Sequence, residues 1–309
     1  MKQEAIVLNE GGKYPLKGML TLPEGEGPFP GVVLVHGSGS SNMDEKVGKL
    51  TPFRDLAEGL AAQGIASVRY DKRSFAHGLK MLRDRSLMIT VREETIEDAV
   101  SAIDLMKADS RIDPDRIYLI GHSMGAMLAP RIDAEGSGCR GLVLMAGTPR
   151  KLEEVLKDQV EEQLAQMPAF VRKLSGKKMR QLMAQFDGMY DLTDQEAKAK
   201  KIGGGTTLYY FKEMGEHPAG DYLTRLEKPV LILQGGKDFQ AKADVDFRGY
   251  QELLKDRPNV TFRLFEELNH AFVPAIHTQI SKAKKEYGVE RHIGGDVIKG
   301  IAHWIHENS

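Results

Sequence analysis

Arg116-Ile117-Tyr118-Leu119-Ile120-Gly121-His122-Ser123-Met124-Gly125 is the stretch on which the reading of this chain turns. Its first half is a short, solid apolar run, which suits a strand covered on both faces. Its second half has the pattern G-x-S-x-G. The small-residue stretch from Met124 to about Ile132 reads as a helix. A strand, a sharp turn and a helix are the setting in which this pattern presents a nucleophilic serine. The spacing has a steric reason. Such a turn crowds its own backbone, so positions 121 and 125 must lack a Cβ. The turn pushes Ser123 Oγ out at the end of the sheet, and the helix N-terminus beneath favours developing negative charge.

The same signal recurs on either side. Gly31–His36 (GVVLVH), Gly141–Ala146 (GLVLMA) and Val230–Gln234 are short apolar runs of the same kind. Ile65–Tyr70 and Asn259–Phe265 are further strands, and Glu4–Asn9 with Leu16–Leu22 form a strand pair. Thr51-Pro52 starts a helix that Gly64 ends. Thr90 and Glu93 form a capping box before the apolar face of Ile96, Ala99, Val100, Ile103 and Met106. Ile298, Ile301, Ala302 and Ile305 mark a closing amphipathic helix. From Thr148 to Arg225 no core strand is expected. There Leu152–Met167 and Phe170–Met189 read as helices, and Gly203–Gly205 as a break. Strand–helix alternation on both sides of this insert predicts an α/β fold, with a mainly parallel sheet covered by helices on both faces. The chain divides into a first core segment (1–147), a helical insertion (148–225) and a second core segment (226–309).

A serine is a weak nucleophile and needs a base and an orienting acid. Behind a G-x-S-x-G turn these follow in the order acid, then histidine. Asp238 stands just past the strand Val230–Gln234, after Gly235 and Gly236. The rival position, after GLVLMA, reads Gly147-Thr148-Pro149-Arg150 and has no carboxylate. His270, in Glu267-Leu268-Asn269-His270-Ala271-Phe272, follows the next strand and is the candidate base. The other eight histidines fit that order less well. An oxyanion needs donors. The amide of Met124 is one candidate and that of Ser38 the other, with Gly37 as the alternative. His36 is expected to order its loop and His122 to be structural. Gly37-x-Gly39 opens a dinucleotide fingerprint, but Asn42 stands at the third glycine position and no helix starts there. Asp71 reads as half of a structural ion pair.

Composition sets limits. The chain has 309 residues and a net charge of -1, so no bulk basic field attracts nucleic acid or an anionic membrane. Its one cysteine, Cys139, excludes a disulfide framework and a multi-thiolate metal site. It also fits a reducing compartment. Met1–Gly12 lacks an apolar h-region, so no signal peptide is expected, and the apolar runs are too short to span a bilayer. A cytoplasmic globular protein is expected.

These residues resemble the serine α/β-hydrolases, within the broad group around dienelactone-hydrolase-like carboxylesterases and serine aminopeptidase-like hydrolases. The matching stretches are VVLVHGSGSSN (32–42), FRDLAEGLAAQGIASVRYDKR (53–73), the run from Glu94 to Ala126, VLILQGGKDFQ (230–240) and ELNHAF (267–272). The resemblance implies Ser123 as nucleophile, Asp238 as acid and His270 as base. It further implies hydrolysis of a small-molecule ester without metal or organic cofactor. Dienelactone hydrolases proper carry cysteine at the nucleophile position, so their substrate is not carried over. In this family an insertion at 148–225 is a cap over the active site. Its aromatic cluster Tyr209, Tyr210 and Phe211 is expected to wall the pocket. The methionines in or beside it (145, 167, 179, 183, 189, 214) suit either a pliable pocket or helix packing. A carboxylesterase is the first expectation. The alternatives are a peptidase, thioesterase or acyltransferase with the same triad, or a ligand-binding protein on this scaffold.

Overall fold

Val32 and Leu34 feed one hydrophobic core, and Val33 and Val35 feed another. The split is the two-residue period of a strand buried on both faces. Tyr118 and Ile120 against Ile117 and Leu119 repeat it, as do Leu231 and Leu233 against Val230 and Ile232. Three solid apolar runs in the sequence thus become the middle of one sheet with two cores.

The computed structural model describes residues 1–203 and 206–309. Gly204 and Gly205, part of the expected break at 203–205, lie outside the described residues. The strands are β1 (Lys2–Leu8), β2 (Leu16–Leu22), β3 (Phe29–Val35), β4 (Ala66–Tyr70), β5 (Ile112–His122), β6 (Gly141–Met145), β7 (Lys201–Gly203), β8 (Thr206–Thr207), β9 (Val230–Gly235) and β10 (Val260–Phe265). Eight of them form one sheet in the order β1-β2-β4-β3-β5-β6-β9-β10. The pairs β1/β2 and β2/β4 are antiparallel and the rest are parallel. The short β7 and β8 pair only with each other.

The helices are α1 (Pro52–Ala61), α2 (Arg73–Arg83), α3 (Glu97–Ala108), α4 (Met124–Ile132), α5 (Leu152–Gln166), α6 (Ala169–Met183), α7 (Asp194–Ala199), α8 (Leu208–Gly215), α9 (Ala219–Leu223), α10 (Arg248–Leu253), α11 (Ala283–Glu286) and α12 (Gly295–Glu307). One core takes α3 and α4, through residues such as Ala99, Ile103, Ala126 and Ala129. The other takes α1 and α12, through Phe53, Leu56, Val297 and Ile301. The sheet is therefore covered on both faces.

Between β6 and β9 the chain leaves the sheet and runs through α5–α9. This insertion is not wholly apart from the core. Tyr210, Met214, Ala219 and Leu223 join the same buried cluster as α4. The helix expected over 170–189 ends at Met183. Two short turns follow, and Gly188 adopts a left-handed φ of +66° that no continuing helix tolerates. Helix α2 was absent from the sequence reading. Its apolar residues Phe75, Leu79 and Leu82 recur at helical spacing on one face, but that face is turned to solvent and only Arg73 and Met81 are buried.

Candidate active site

β5 delivers Ser123 directly to α4. The turn is as tight as its two glycines require. A Cβ on Gly121 would lie 2.2 Å from the Gly125 carbonyl oxygen, and one on Gly125 would lie 2.2 Å from that of Val35. Ser123 itself has φ +54° and ψ -118°, a strained conformation for a residue with a Cβ. Its N–H donates to the Met145 carbonyl on the neighbouring strand (2.8 Å), which fixes the turn against the sheet.

Asp238 follows β9 and is buried. Its Oδ1 accepts the N–H groups of Gln240 (2.7 Å) and Ala241 (3.0 Å). Its Oδ2 accepts from Gln234 Nε2 (3.0 Å) and from His270 Nδ1 (2.7 Å). Four donors lock the carboxylate in one orientation. That orientation also fixes the His270 ring. With Nδ1–H committed to Asp238, Nε2 is left to accept a proton.

The loop that carries His270 is rigidly built. Asn269 Oδ1 accepts the N–H groups of Ala271 (3.0 Å) and Val273 (3.3 Å), and its Nδ2 donates to Glu286 Oε1 (2.7 Å). Burial alone would raise the Glu286 carboxyl. Arg291, the His277 N–H and Asn269 outweigh it and hold the group below its ordinary value. The loops that carry Asp238 and His270 touch, since a Cβ on Gly235 would lie 2.5 Å from the Asn269 carbonyl oxygen.

Ser123 and His270 line the same two cavities, of 210 Å³ and 50 Å³. The 210 Å³ cavity is polar, with Glu45, Ser40, Ser41, Gln240 and Tyr287 in its wall. A third cavity of 380 Å³ opens beside them. It is lined mainly by apolar groups, among them Met81, Leu82, Ile89, Met124, Leu152 and Phe211. Ser38 borders all three. Helix α5 contributes Leu152, Val155, Leu156 and Gln159 to these walls.

The backbone donors can be sorted. The Gly37 N–H donates to Glu45 Oε1 (2.6 Å), so the alternative of Gly37 as an oxyanion donor is corrected: its proton is already committed. The N–H groups of Ser38 and Met124 donate to no group among the described residues. Met124 heads helix α4, whose first N–H groups have no partner inside the helix. Lys72, fully buried, donates to the Gly37 carbonyl (2.9 Å) and lies 3.6 Å from Glu94.

The aromatic cluster divides. Tyr210 and Phe211 line the 380 Å³ cavity. Tyr209 lines none of the three and packs its ring under Lys198 Nζ at 4.2 Å. Adjacent residues on a helix point about 100° apart, so three in a row cannot share one wall. The methionines at the cavities are Met81, Met124 and Met127, none of them among the six in or beside the insertion. His36 orders its loop, with Nε2 3.0 Å from the Asn42 carbonyl oxygen. Asp71 accepts the Met43 N–H (2.9 Å), and the ion pair expected there is made instead by Arg73 with Asp98 (2.5 Å). Cys139 is buried away from the site, and burial pushes its thiol up to about 11.

Glu45, Lys72, Gln234 and Asn269 all hold this site together and were not legible beforehand. Lys72, Gln234 and Asn269 stood in quoted stretches, and Gln234 and Asn269 have partners close by in sequence, Asp238 and the Ala271 and Val273 N–H groups.

A strand-to-helix serine turn at the end of a mainly parallel sheet defines a class, and the chain belongs to the alpha/beta hydrolase family, whose family model matches residues 32–279. It is 34% identical over 290 residues to Esterase EstD of Thermotoga maritima, covering 94% of this chain and 65% of that protein's length. Its fold is similar to Est1E from Butyrivibrio proteoclasticus with ferulic acid bound, at 15% identity and a TM-score of 0.60, over 98% of this chain and 99% of that one. The Pyrococcus furiosus esterase Pf2001 is similar at 15% identity and a TM-score of 0.57, over 99% and 91% of the two chains.

Proposed function

We propose that this protein is a serine carboxylesterase acting on small carboxylic esters. The observation that carries the reading is the 2.7 Å bond from His270 Nδ1 to Asp238 in cavities shared with Ser123. The similarity to EstD, named an esterase, supports it.

His270 Nε2 takes the Ser123 hydroxyl proton as the oxygen attacks the ester carbonyl. Asp238 stabilises the imidazolium that forms. The Ser38 and Met124 amides receive the oxyanion, helped by the N-terminus of α4. His270 then protonates the departing alcohol. Water activated by His270 releases the acid and restores Ser123. The acyl group occupies the apolar 380 Å³ cavity and the alcohol leaves through the polar 210 Å³ cavity. Residues 148–225 act as a cap, with α5 and α8 closing over the acyl side. No helix among the described residues is long and apolar enough to cross a membrane. The lone, buried Cys139 fits a cytoplasmic setting.

The test compares aryl butyrate with aminoacyl anilide turnover, using wild type and Ser123→Ala. Aryl ester hydrolysis that Ser123→Ala abolishes is the expected result. Preference for the anilide would make the protein a peptidase.

A further inference from the structure

Glu45 and His122 take no part in the reaction steps above, yet both are buried beside the reacting groups. His122 fills the free position of the Gly121-x-Ser123-x-Gly125 turn. Its Nε2 lies 2.9 Å from the His270 carbonyl oxygen. Its Nδ1 lies 2.8 Å from Glu45 Oε2, an ion-pair contact outside hydrogen-bond geometry, and neither of those two atoms has a hydrogen-bond partner among the described residues. A carbonyl and a carboxylate can only accept, so serving both requires a proton on each ring nitrogen. His122 is then an imidazolium. Burial alone would lower its pKa, but the Glu45 carboxylate and the His270 carbonyl outweigh burial and raise it. Burial would raise the Glu45 carboxyl in turn. His122 and the Gly37 N–H outweigh that and hold it low.

The second oxygen of Glu45 accepts the Gly37 N–H at 2.6 Å. Glu45 also has φ +49°, a left-handed conformation that is strained for a residue with a Cβ. A strained, buried carboxylate is kept where the surroundings demand it. One ion pair therefore touches the loop that carries the oxyanion donor and the loop that carries the base.

We propose that His122 and Glu45 are positioning residues that hold the two loops in register. Through Gly37 the pair sets the direction of the Ser38 N–H. Through the His270 carbonyl it sets the height of the base above Ser123. The proposal rests on the hydrolase reading for its kinetic consequences only.

The groups facing the His122–Glu45 pair follow four strands: His36 and Glu45 itself after β3, Lys72 after β4, Asp238 after β9 and His270 after β10. Burial pushes His36 down to about 4, so it is neutral at pH 7 and adds no charge. When pH rises through the raised His122 pKa, one ring nitrogen loses its proton. Either Glu45 or the His270 carbonyl then loses its donor, and the loops lose register.

Nitrogen-15 histidine NMR of the whole protein tests this, with the His122 signal assigned from His122→Gln. Both ring nitrogens should be protonated at pH 7, and Glu45→Gln should lower the pH at which that signature is lost. Glu45→Gln should also lower kcat for an aryl butyrate by on the order of 100-fold with KM nearly unchanged. Its alkaline limb should move to lower pH. A neutral His122 in wild type at pH 7 overturns the proposal, as does Glu45→Gln with wild-type kcat and pH profile. If Glu45→Gln does not fold, the wild-type spectrum decides alone. If wild type hydrolyses no ester, the hydrolase reading fails while the spectrum still tests the pair.

Discussion

Gly125 packs so closely on Val35 that a Cβ at position 125 would lie 2.2 Å from the Val35 carbonyl oxygen. The serine turn is thereby seated on the middle strand of the sheet. That contact is backbone against backbone, so no side-chain rotation can relieve an added methyl. Gly125→Ala should destabilise the fold at the upper end of the about 1–3 kcal/mol typical of overpacking, or beyond it. Urea denaturation reads this directly. A wild-type midpoint would show that the turn has slack.

Lys72 is a buried cation with two partners, the Gly37 carbonyl and Glu94. Replacing it by methionine keeps the volume, strands the Gly37 carbonyl and leaves Glu94 with the Tyr210 hydroxyl (2.6 Å) but no counter-ion. Lys72→Met should cost about 3 kcal/mol or more, since a buried charge loses its counter-ion. It should also lower kcat, because Gly37 anchors the loop that presents Ser38. Unchanged stability would mean that solvent reaches Glu94 freely.

Phe211 and Tyr209 should part company in a substrate panel. Phe211 lines the 380 Å³ cavity and packs edge-on to Phe186 at 4.8 Å. Phe211→Ala should shift preference toward longer acyl chains. Tyr209→Ala should leave the chain-length profile unchanged, since its ring lies under Lys198. Equal shifts from both variants would contradict the assigned walls.

Stability should depend on pH through His36. Burial pushes this group down to about 4, against an ordinary 6.5. Between those values the unfolded chain binds a proton that the folded chain refuses. The contribution is present above pH 6.5 and is lost as pH falls toward 4, by up to about 3 kcal/mol. His122 has the opposite sign. Its raised pKa gives stability that is present at low pH and is lost as pH rises through the folded value. Denaturation of wild type and His36→Gln from pH 7 to 4.5 separates the two. The variant should lose part of the acidic slope, and an identical slope would refute the assignment.

Much of the fold was legible because strands buried on both faces read as solid apolar runs. β3, β5, β6 and β9 follow that rule. Ser123, Asp238 and His270, the proposed triad, could be picked out because each follows a strand end, of β5, β9 and β10 in turn. Glu45 could not. Its role depends on Gly37, eight positions away, and on His122, which lies on another strand. Tyr209 was misread because a run of aromatics says nothing about which helix face meets the cavity. The short helices α7, α9 and α11 have too few residues to show a period.

The central claim is that Ser123 forms an acyl-enzyme. Wild type should be mixed with excess p-nitrophenyl butyrate, quenched in acid within the first turnovers, digested and weighed by mass spectrometry. The account predicts a butyryl group on the peptide containing Ser123 and none in Ser123→Ala. Ester hydrolysis that persists in Ser123→Ala, or a butyryl group on another residue, would contradict it.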